Sequence, residues 1–297
     1  MGISRRASFL AVGAATAALT ACARKAEPPF SPRDALSTFE IEPGFRIEAF
    51  ASEPDVASPV AMEFDERGRV FVVEMPGYPL DTRPTGRIKL LEDTNGDGKT
   101  DKSTVFADGL VLPNGVMRWK KGVIVTAAPD VLYLEDTNDD GRADVRRKLL
   151  TGFAFSNPQH TVNSPVYGLD NWIYLAHEGP AEAVIYKDLF GNPGSAIRFP
   201  EKPDAPAVDV GRHAVRFHPG ALAIEARSGS SQFGHTFDEW AATSPSTTRT
   251  TCATRSSPRA TSRATPTCPW RARCRTCPIM EAMRRCSRSP DAPVSSC

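Results

Sequence analysis

The chain has 297 residues, 40% of them hydrophobic, and a formal net charge of +1. It is long enough to bury one large core or two smaller ones. The near-neutral total hides an uneven distribution, because residues 241–297 carry ten of the 36 basic residues and only two of the 35 acidic ones. Because of this imbalance, the average charge of the whole chain describes neither residues 1–240 nor residues 241–297.

The amino terminus carries an export signal. Arg5 and Arg6 precede an apolar run, residues 9–21, which is shorter than the roughly 20 residues that a membrane-spanning helix needs. The run ends at Leu19-Thr20-Ala21-Cys22, which resembles a bacterial lipobox whose cysteine thiol accepts a diacylglycerol. We therefore expect a lipoprotein signal peptide over 1–21 and a tether over 22–38. Cys22 would anchor the exported protein in the membrane of the bacterial cell envelope, facing the periplasm. Ordinary cleavage beside an incidental cysteine is the alternative, and both Sec and twin-arginine export remain open.

The body of the chain has the pattern of an all-β protein. From Phe39 onward, short β-rich runs alternate with clusters of Gly, Pro, Asn and Asp, without a long 3.6-residue apolar periodicity. The clearest predicted strands are Phe45–Phe50, Val70–Glu74, Ile88–Leu91, Val123–Thr126, Val131–Leu134, Trp172–Ala176 and Ala221–Ala226.

Internal repeats predict a β-propeller. Residues 88–101 and 131–144 have closely similar sequences at an offset of 43 residues, within the roughly 40–45 residues of one four-stranded blade. Strand–turn–strand patterns at 64–71, 119–124 and 168–174 recur at a comparable spacing. A complete ring of six blades needs about 240–270 residues. We therefore predict an incomplete propeller over 39–240, with about four of six blades.

Each of the two repeats ends in an acidic loop with the pattern D-x-N-x-D-G. Alternate oxygens in such a loop converge on one point, as a calcium ion requires. An EF-hand is excluded because the twelfth position is Thr104 in one loop and Arg147 in the other. A metal-free hairpin loop held by Asx-turn hydrogen bonds is the alternative. The predicted structural calcium ligands are the side chains of Asp93, Asn95, Asp97, Asp101, Asp136, Asn138, Asp140 and Asp144 and the backbone carbonyls of Lys99 and Arg142.

Three segments, Pro43–Pro54, Pro59–Asp65 and Ser231–Trp240, resemble a family of membrane-bound dehydrogenases. The resemblance covers about residues 39–240. Members of that family are distantly similar to soluble quinoprotein sugar dehydrogenases, which are six-bladed propellers that hold pyrroloquinoline quinone and calcium. The resemblance implies oxidation of a sugar or alcohol, with a cytochrome c domain or protein as a possible type of electron acceptor.

His160 is the candidate catalytic residue. The segment Gln159–Asn163, followed by Gly168–Tyr174, is similar to the quinoprotein segment in which a histidine acts as general base toward the substrate hydroxyl. Leu169 and Asn171 depart from the G-P-D-G pattern of that segment. A hydrogen-bonded channel or turn histidine is therefore the alternative. The second functional hypothesis is a non-catalytic propeller that binds carbohydrate or protein at the cell envelope.

Residues 241–297 contain no Leu, Phe, Tyr, Gly, Lys, Asn, Gln or His. A disordered tail is one explanation for the absence of these eight residue types, and translation in a shifted reading frame is a more specific one. If the intended frame begins one base earlier, one permitted translation after Trp240 begins Gly-Arg-Asn-Phe-Thr-Phe-Asp, which resembles the family's continuation. The chain is then a truncated form without activity, and its tail cysteines and arginines have no selected role. We accordingly predict no nucleic-acid partner, and no haem in this chain because Cys274 and Cys277 are followed by Pro278 rather than histidine.

Overall fold

The computed structural model describes residues 28–181, 186–237 and 243–245. The predictions of a signal peptide over 1–21 and of Cys22 as a lipid anchor lie outside the described residues. The predicted disordered, out-of-frame tail over 241–297 also lies outside them, except for residues 243–245, which form a strand. A five-residue helix, α1 (Pro32–Leu36), lies in the segment predicted as a tether. Its N-cap is Ser31, whose hydroxyl accepts a hydrogen bond from the N–H of Asp34 at 3.1 Å.

The described residues contain three four-stranded antiparallel sheets and one two-stranded ladder. The first sheet consists of β1 (Pro59–Phe64), β2 (Val70–Glu74), β3 (Gly86–Glu92) and β4 (Lys102–Leu110). The second sheet consists of β5 (Gly115–Trp119), β6 (Gly122–Ala127), β7 (Asp130–Glu135) and β8 (Val145–Thr151). The third sheet consists of β9 (Asn163–Tyr167), β10 (Ile173–Ala176), β11 (Val215–His218) and β12 (Ala223–Ala226), and the ladder of β13 (His235–Phe237) and β14 (Thr243–Pro245).

The strands of each sheet follow one another in chain order, so that every sheet is an antiparallel meander. The first strands of successive sheets touch, because β1 contacts β5 and β5 contacts β9. This is the arrangement of consecutive blades in a β-propeller, and the predicted all-β, partial-propeller fold is confirmed. Among the described residues, three sheets are complete, and β13 pairs with β14 after them.

The packing of the sheets follows from the two-residue period of their strands. In β2, Phe71 and Val73 point into the core shared with the second sheet, while Val70 and Val72 point to the opposite face, where Val56 covers them. All five residues of β2 are buried, since both faces of this strand are packed. A second core joins the second and third sheets and is built from side chains such as Ile124, Tyr133, Leu150, Phe153, Leu175 and Phe217.

One predicted strand was wrong. Residues Phe45–Phe50 have the alternating pattern of a strand, but the structure pairs them with no strand of the described residues. Phe45 remains 75% exposed, because the alternating pattern by itself does not supply a neighbouring edge to pair with.

The face of the first sheet that points away from the second sheet is only partly covered. Met62 pairs with Val72 and Phe64 with Val70, so these two β1 side chains lie on that face. Both are more than half exposed. An apolar face open at one end of the stack is the expected feature of a propeller whose ring is incomplete among the described residues.

Candidate functional site

The sheets have two chemically different ends. In the third sheet Asn163 of β9 pairs with Ala176 of β10, so the residues just before β9 and just after β10 share one end, here called the histidine end. The acidic loops lie at the other end of the first and second sheets, where Glu92 pairs with Lys102 and Glu135 with Val145. We call this the acidic end.

His160 and Glu178 meet at the histidine end. His160 lies three residues before β9 and Glu178 two residues after β10. The Nδ1 atom of His160 is 2.6 Å from Oε2 of Glu178, and the two side chains are 21% and 25% exposed. A carboxylate at this distance accepts the Nδ1 proton, which leaves the lone pair of a neutral imidazole on Nε2. The contact therefore orients His160 and prepares Nε2 to accept a proton.

Two further polar side chains surround this pair. The side-chain amide nitrogen of Gln232 is 3.4 Å from Nε2 of His160. The guanidinium of Arg212 lies 3.8 Å from Oε1 of Glu178 and donates a hydrogen bond to the carbonyl of Pro180 at 2.7 Å. Because 60% of the Arg212 side chain is exposed, its charge faces the solvent beside the histidine.

Neighbouring sheets support the segment that carries His160. The backbone N–H of His160 donates to the carbonyl of Asn157 at 3.0 Å. The side chain of Gln159 donates to the Tyr78 hydroxyl at 2.6 Å, and Tyr78 belongs to the connection between β2 and β3. The segment is thus held by the first sheet as well as by its own, which fixes the position of the imidazole.

A buried network continues this support. Asn114 donates from its side-chain amide to the Thr161 hydroxyl at 2.7 Å, and its amide oxygen accepts from the Thr126 hydroxyl at 2.7 Å. Asn163 donates to the carbonyl of Gln232 at 2.9 Å. These contacts link the second sheet, the third sheet and the segment before β13 at the histidine end.

His177 is close in sequence to Glu178 but differs from His160 in its environment. It is 3% exposed, and its Nδ1 atom lies 2.9 Å from the carbonyl of His213. Burial lowers its pKa below the usual range of histidine. The side chain is therefore neutral at pH 7 and contributes to packing, with its ring edge-on to Phe153.

The first acidic loop is closed by its own backbone. The carboxylate of Asp93 accepts hydrogen bonds from the N–H groups of Gly96 at 2.7 Å and Gly98 at 2.8 Å. These N–H groups, that of Gly98 foremost, hold the pKa of Asp93 below its usual range. Asp101 accepts from both the N–H and the hydroxyl of Thr94, while Asp97 accepts from the N–H of Lys99 at 2.9 Å.

The second acidic loop repeats these contacts. Asp136 accepts from the N–H of Gly141 at 2.8 Å, and Asp140 accepts from the N–H of Arg142 at 2.8 Å. Asp144 accepts from Thr137, while the amide oxygen of Asn138 accepts from the N–H of Asp140 at 3.1 Å. In the first loop, Asn95 makes the same bond to the N–H of Asp97 at 2.9 Å. The ten predicted ligand positions therefore form two loops of the same local structure.

The loops have the oxygen ligands that calcium requires, and these oxygens already accept hydrogen bonds. In the part of the chain that the structure describes, no group of three or more His, Cys, Asp or Glu side chains is close enough together to hold a metal. The Asx-turn alternative accounts for the contacts present. An ionised carboxylate has about four lone-pair sites. Asp93 accepts three N–H groups, two of them on Oδ1, which leaves one site on Oδ2 for a cation. The donor set of oxygen atoms fits calcium, and calcium binding stays a prediction.

Ion pairs hold the acidic end together, and the sequence analysis did not find them. Asp139, which lies inside the second loop, accepts two hydrogen bonds from Arg67 in the β1–β2 turn, at 3.1 and 2.8 Å. Arg118 of β5 makes a similar pair with Glu66 of the same turn. Both pairs join the first sheet to the second, and this places the acidic loops in a structural setting far from His160.

The structure thus separates the predicted site residues into two groups. His160 lies at the histidine end with Glu178, Arg212 and Gln232, none of which the sequence analysis singled out. Their separation in sequence, up to 72 residues between His160 and Gln232, hides them from any local pattern. The one available signal was that Gln232 belongs to a segment of family resemblance.

Arg216 contacts neighbouring side chains on the face of the third sheet that points away from the second sheet. It forms ion pairs with Asp170 at 2.9 Å and Glu225 at 2.6 Å, and its guanidinium carbon lies 4.4 Å from the ring centre of Trp172. This side chain is ion-paired and stacked, so it does not join the group around His160.

A cleft lies between the third sheet and β13. Its lining includes Tyr174, Arg227, His235 and the segment 228–231. Burial, and to a smaller extent the charge of Arg227, lowers the pKa of His235 to about 4. The segment 228–231 leads directly to Gln232, so the cleft adjoins the histidine end.

The described part of the chain contains no helix with the length and apolar character needed to cross a membrane. Cys22 lies outside that part, and its acylation stays a prediction.

Comparison with solved structures gives similarities at low identity. The holo form of the pyranose dehydrogenase PQQ domain from Coprinopsis cinerea is 16% identical with a TM-score of 0.40, over 59% of this chain and 42% of that one. The iodide structure of a Trichoderma reesei carbohydrate-active enzyme of family AA12 is 19% identical with a TM-score of 0.30, over 48% of this chain and 35% of that one. The calcium structure of the same family is 18% identical with a TM-score of 0.31, over 56% and 40%.

The chain therefore spans less than half the length of each of these structures. No curated protein matches the chain. A family model described as "Domain of unknown function (DUF7133)" matches residues 31–292. This range includes the three complete sheets, both acidic loops and the His160–Glu178 pair, and it also covers residues 241–292, for which the sequence analysis predicts another reading frame. The chain belongs to the DUF7133 family.

Proposed function

We propose that the intact protein is an envelope-anchored propeller oxidoreductase that oxidises a hydroxyl group of a sugar or alcohol, with His160 as the general base. The observation that carries this proposal is the 2.6 Å contact between Nδ1 of His160 and Oε2 of Glu178. A histidine oriented by a carboxylate is a common arrangement for accepting a proton from a hydroxyl group.

Each residue of the pair has a separate role in this proposal. Nε2 of His160 accepts the proton of the substrate hydroxyl group, while the carbon that bears this hydroxyl group loses a hydride. Glu178 stabilises the imidazolium that results and holds the ring in one tautomer. Gln232, which donates toward Nε2 in this structure, would be displaced by the substrate hydroxyl or would donate to its oxygen.

Pyrroloquinoline quinone, when bound, supplies the hydride acceptor. Its polar atoms are carboxylate and carbonyl oxygens, so it needs hydrogen-bond donors and positive charge. The exposed guanidinium of Arg212 and the side-chain amide of Gln232, both next to the His160–Glu178 pair, are donors of that kind. We propose that these two residues would hold it. A cytochrome c domain or protein would then accept the electrons.

The functional test uses protein in which residues 241–297 are restored to the neighbouring reading frame. With pyrroloquinoline quinone and calcium added, we expect a bound-quinone absorption spectrum and reduction of a redox dye by sugars or alcohols. His160→Ala should lower kcat by about 100-fold or more while the quinone stays bound, since general-base catalysis contributes about 10²–10⁴-fold.

Glu178→Gln should lower kcat less than His160→Ala, because the amide keeps a hydrogen bond but loses the charge. His213→Gln, at an exposed histidine of the same connection, is the matched control. No quinone binding, together with unchanged carbohydrate binding after His160→Ala, would favour the non-catalytic propeller instead. Sequencing the encoding DNA and finding no family-like translation in the neighbouring frame would reject the truncation hypothesis.

We also propose that each acidic loop holds one structural calcium ion. On a calcium-free sample, calorimetric titration should detect uptake, and calcium at 100 times its Kd should raise the free energy of unfolding by about 2.7 kcal/mol for each loop that binds an ion. Asp93→Asn and Asp136→Asn should each remove one equivalent of bound calcium. Asp209→Asn, at an exposed aspartate outside the loops, should leave both in place. No heat of binding on folded protein would leave the loops as Asx turns.

The proposed anchor is tested separately from the activity. Replacing the lipobox cysteine by Cys22→Ser should move the protein from the membrane fraction to the soluble periplasmic fraction and abolish labelling by a fatty acid. Retention of the variant in the membrane fraction would contradict lipid anchoring through this residue.

A further inference from the structure

The first acidic loop contains an asparagine that is followed by glycine. This dipeptide occurs twice in the chain, as Asn95-Gly96 in the loop and as Asn114-Gly115 at the start of β5. The backbone nitrogen that follows an asparagine can attack the carbon of its side-chain amide and expel ammonia. Glycine obstructs this ring closure least, because it has no Cβ. The structure gives the two dipeptides opposite surroundings.

Asn95 and Gly96 are accessible and have room to move. Both residues are exposed to solvent, and a Cβ atom at Gly96 would meet nothing within 4 Å. The amide oxygen of Asn95 accepts a hydrogen bond from the N–H of Asp97 at 2.9 Å. A donor at this oxygen stabilises the negative charge that develops there when the amide carbon is attacked. The loop therefore combines an accessible nucleophile with an activated amide.

Asn114-Gly115 is held by buried contacts instead. The side chain of Asn114 donates to the hydroxyl of Thr161 and accepts from that of Thr126, both at 2.7 Å. A Cβ atom at Gly115 would lie 2.6 Å from the Thr126 hydroxyl oxygen and 2.9 Å from the backbone nitrogen of Ser164. Ring closure here would break two buried hydrogen bonds and move a packed strand, so the fold protects this asparagine.

The second acidic loop has the same local structure with a different following residue. The amide oxygen of Asn138 accepts from the N–H two residues further on, as in the first loop, but the next residue is Asp139. The Cβ of Asp139 hinders ring closure. Its carboxylate accepts two hydrogen bonds from Arg67 in the β1–β2 turn, which restrains the peptide that would have to move. Asn138 therefore lacks the accessible nucleophile that Asn95 has.

One contact slows the reaction in the closed first loop. The N–H of Gly96 donates to Oδ1 of Asp93 at 2.7 Å, so the nitrogen keeps its proton while this charge-assisted bond is made. Attack requires the bond to open, and an exposed loop can open without unpacking a core. The Asp93 carboxylate therefore lowers the rate without blocking the reaction.

We infer that Asn95 is a site of spontaneous deamidation. A new bond joins the nitrogen of Gly96 to the side-chain carbonyl carbon of Asn95, the bond from that carbon to the amide nitrogen breaks, and the amide leaves as ammonia with the proton of Gly96. Water then opens the cyclic imide to aspartate or to β-linked isoaspartate. Either product adds a negative charge to the loop, and isoaspartate also lengthens its main chain by one atom. The reaction needs neither calcium nor quinone, so it takes place whether or not the protein is an oxidoreductase.

The test incubates the full chain at mildly alkaline pH, with a chelator and without quinone, and follows each asparagine by peptide mapping and tandem mass spectrometry. Conversion appears as the mass gain of an amide that becomes an acid. We expect Asn95 to convert at least about 10-fold faster than Asn114 or Asn138, which corresponds to a barrier lower by about 1.4 kcal/mol. Equal rates at the three residues, or no conversion at Asn95, would overturn the inference.

Exchanging the residues that follow the two loop asparagines should move the site. Gly96→Asp gives the first loop the dipeptide of the second and should slow conversion of Asn95 by about 10-fold or more, whereas Asp139→Gly should make Asn138 convert. Gly44→Asp, at another exposed glycine with a positive φ and open surroundings, is the matched control and should leave the rate at Asn95 unchanged. Unchanged rates in both exchange variants would overturn the inference.

Two further measurements separate the fold from the local sequence. In the urea-unfolded chain, Asn95 and Asn114 should convert at similar rates, because both precede glycine. A preference for Asn95 that persists in urea would overturn the structural basis of the inference. Asp93→Ala should speed conversion of Asn95 in the folded chain, and an unchanged rate would overturn the role given to Asp93. If a variant does not fold, the comparison of the three asparagines in the unaltered chain still decides.

Discussion

His235 is a mostly buried histidine whose pKa is lowered to about 4, by burial first and by the charge of Arg227 second. In the unfolded chain the pKa of a histidine is about 6.5. Between pH 6.5 and 4 the unfolded state therefore binds more protons at this residue than the folded state does. The contribution of His235 to stability is complete above pH 6.5 and is lost as the pH falls through this window.

We predict that the free energy of unfolding falls by up to about 3 kcal/mol between pH 7 and pH 4 on account of His235. His235→Gln should flatten this dependence when urea denaturation is measured across the range. His177, whose pKa is also lowered by burial, acts in the same direction, so some slope should remain.

His213→Gln serves as the control, because the side chain of His213 is exposed. An equally steep pH dependence in His235→Gln and in the unaltered chain would contradict the burial of this imidazole.

At the level of single elements, sequence patterns predicted those strands whose conformation depends on residues close to them in sequence. The strands β2, β3, β6, β7, β10 and β12 each overlap a predicted strand, because a run of β-branched or aromatic residues bounded by turn residues is a local signal. The strand β8, with the sequence VRRKLLT, was missed. Three consecutive charged residues mask its pattern, and pairing with β7 decides its conformation.

The candidate site was predictable only in part for the same reason. The family resemblance predicted His160 as a site residue, and a repeated local pattern predicted the acidic loops. Glu178 and Gln232 reach His160 through the register of β9 with β10 and the path of the chain after β12. Neither depends on residues near them in sequence, so no reading of the sequence alone could have assembled the group.

Gly122 shows how tightly one turn fits its sheet. It begins β6, where a Cβ atom would lie 2.0 Å from the carbonyl oxygen of Leu134 and 2.9 Å from the ring of Tyr133. Since the obstacle is backbone, it cannot move without opening the β6–β7 ladder.

We predict that Gly122→Ala lowers the free energy of unfolding by about 2–3 kcal/mol and Tm by roughly 5–10 °C. Gly191→Ala is the matched control, because its nearest obstacle is 3.8 Å away, and it should change Tm by about 1–2 °C at most. Similar melting temperatures for both variants would contradict the close approach of β7 to Gly122.

For the assembled sheets, stability depends on shared cores. The second sheet packs one face against the first sheet and the other against the third, so a blade that unfolds exposes a face of its neighbour. Stacked units of this kind are stabilised chiefly by interfaces between nearest neighbours. Unfolding of the three sheets should therefore be coupled.

Asn114 tests that coupling because its side chain bonds to Thr126 in the second sheet and to Thr161 just before the third. Asn114→Ala leaves two buried hydroxyl groups short of a partner. We predict a loss of about 2–3 kcal/mol in the free energy of unfolding. Asn192→Ala, at an exposed loop residue, should cost less than about 1 kcal/mol.

Hydrogen exchange followed by mass spectrometry distinguishes coupled from separate unfolding. If the sheets unfold together, Asn114→Ala should speed the slowest exchange in peptides of β2 and β3 as much as in peptides of β10 and β11, although β2 and β3 lie in a sheet that Asn114 does not bond to. Faster exchange confined to β9–β12 would mean that the third sheet opens by itself. The His160–Glu178 pair, which the third sheet carries, would then be less stable than the rest of the stack, and that outcome would weaken its assignment as a preorganised catalytic pair.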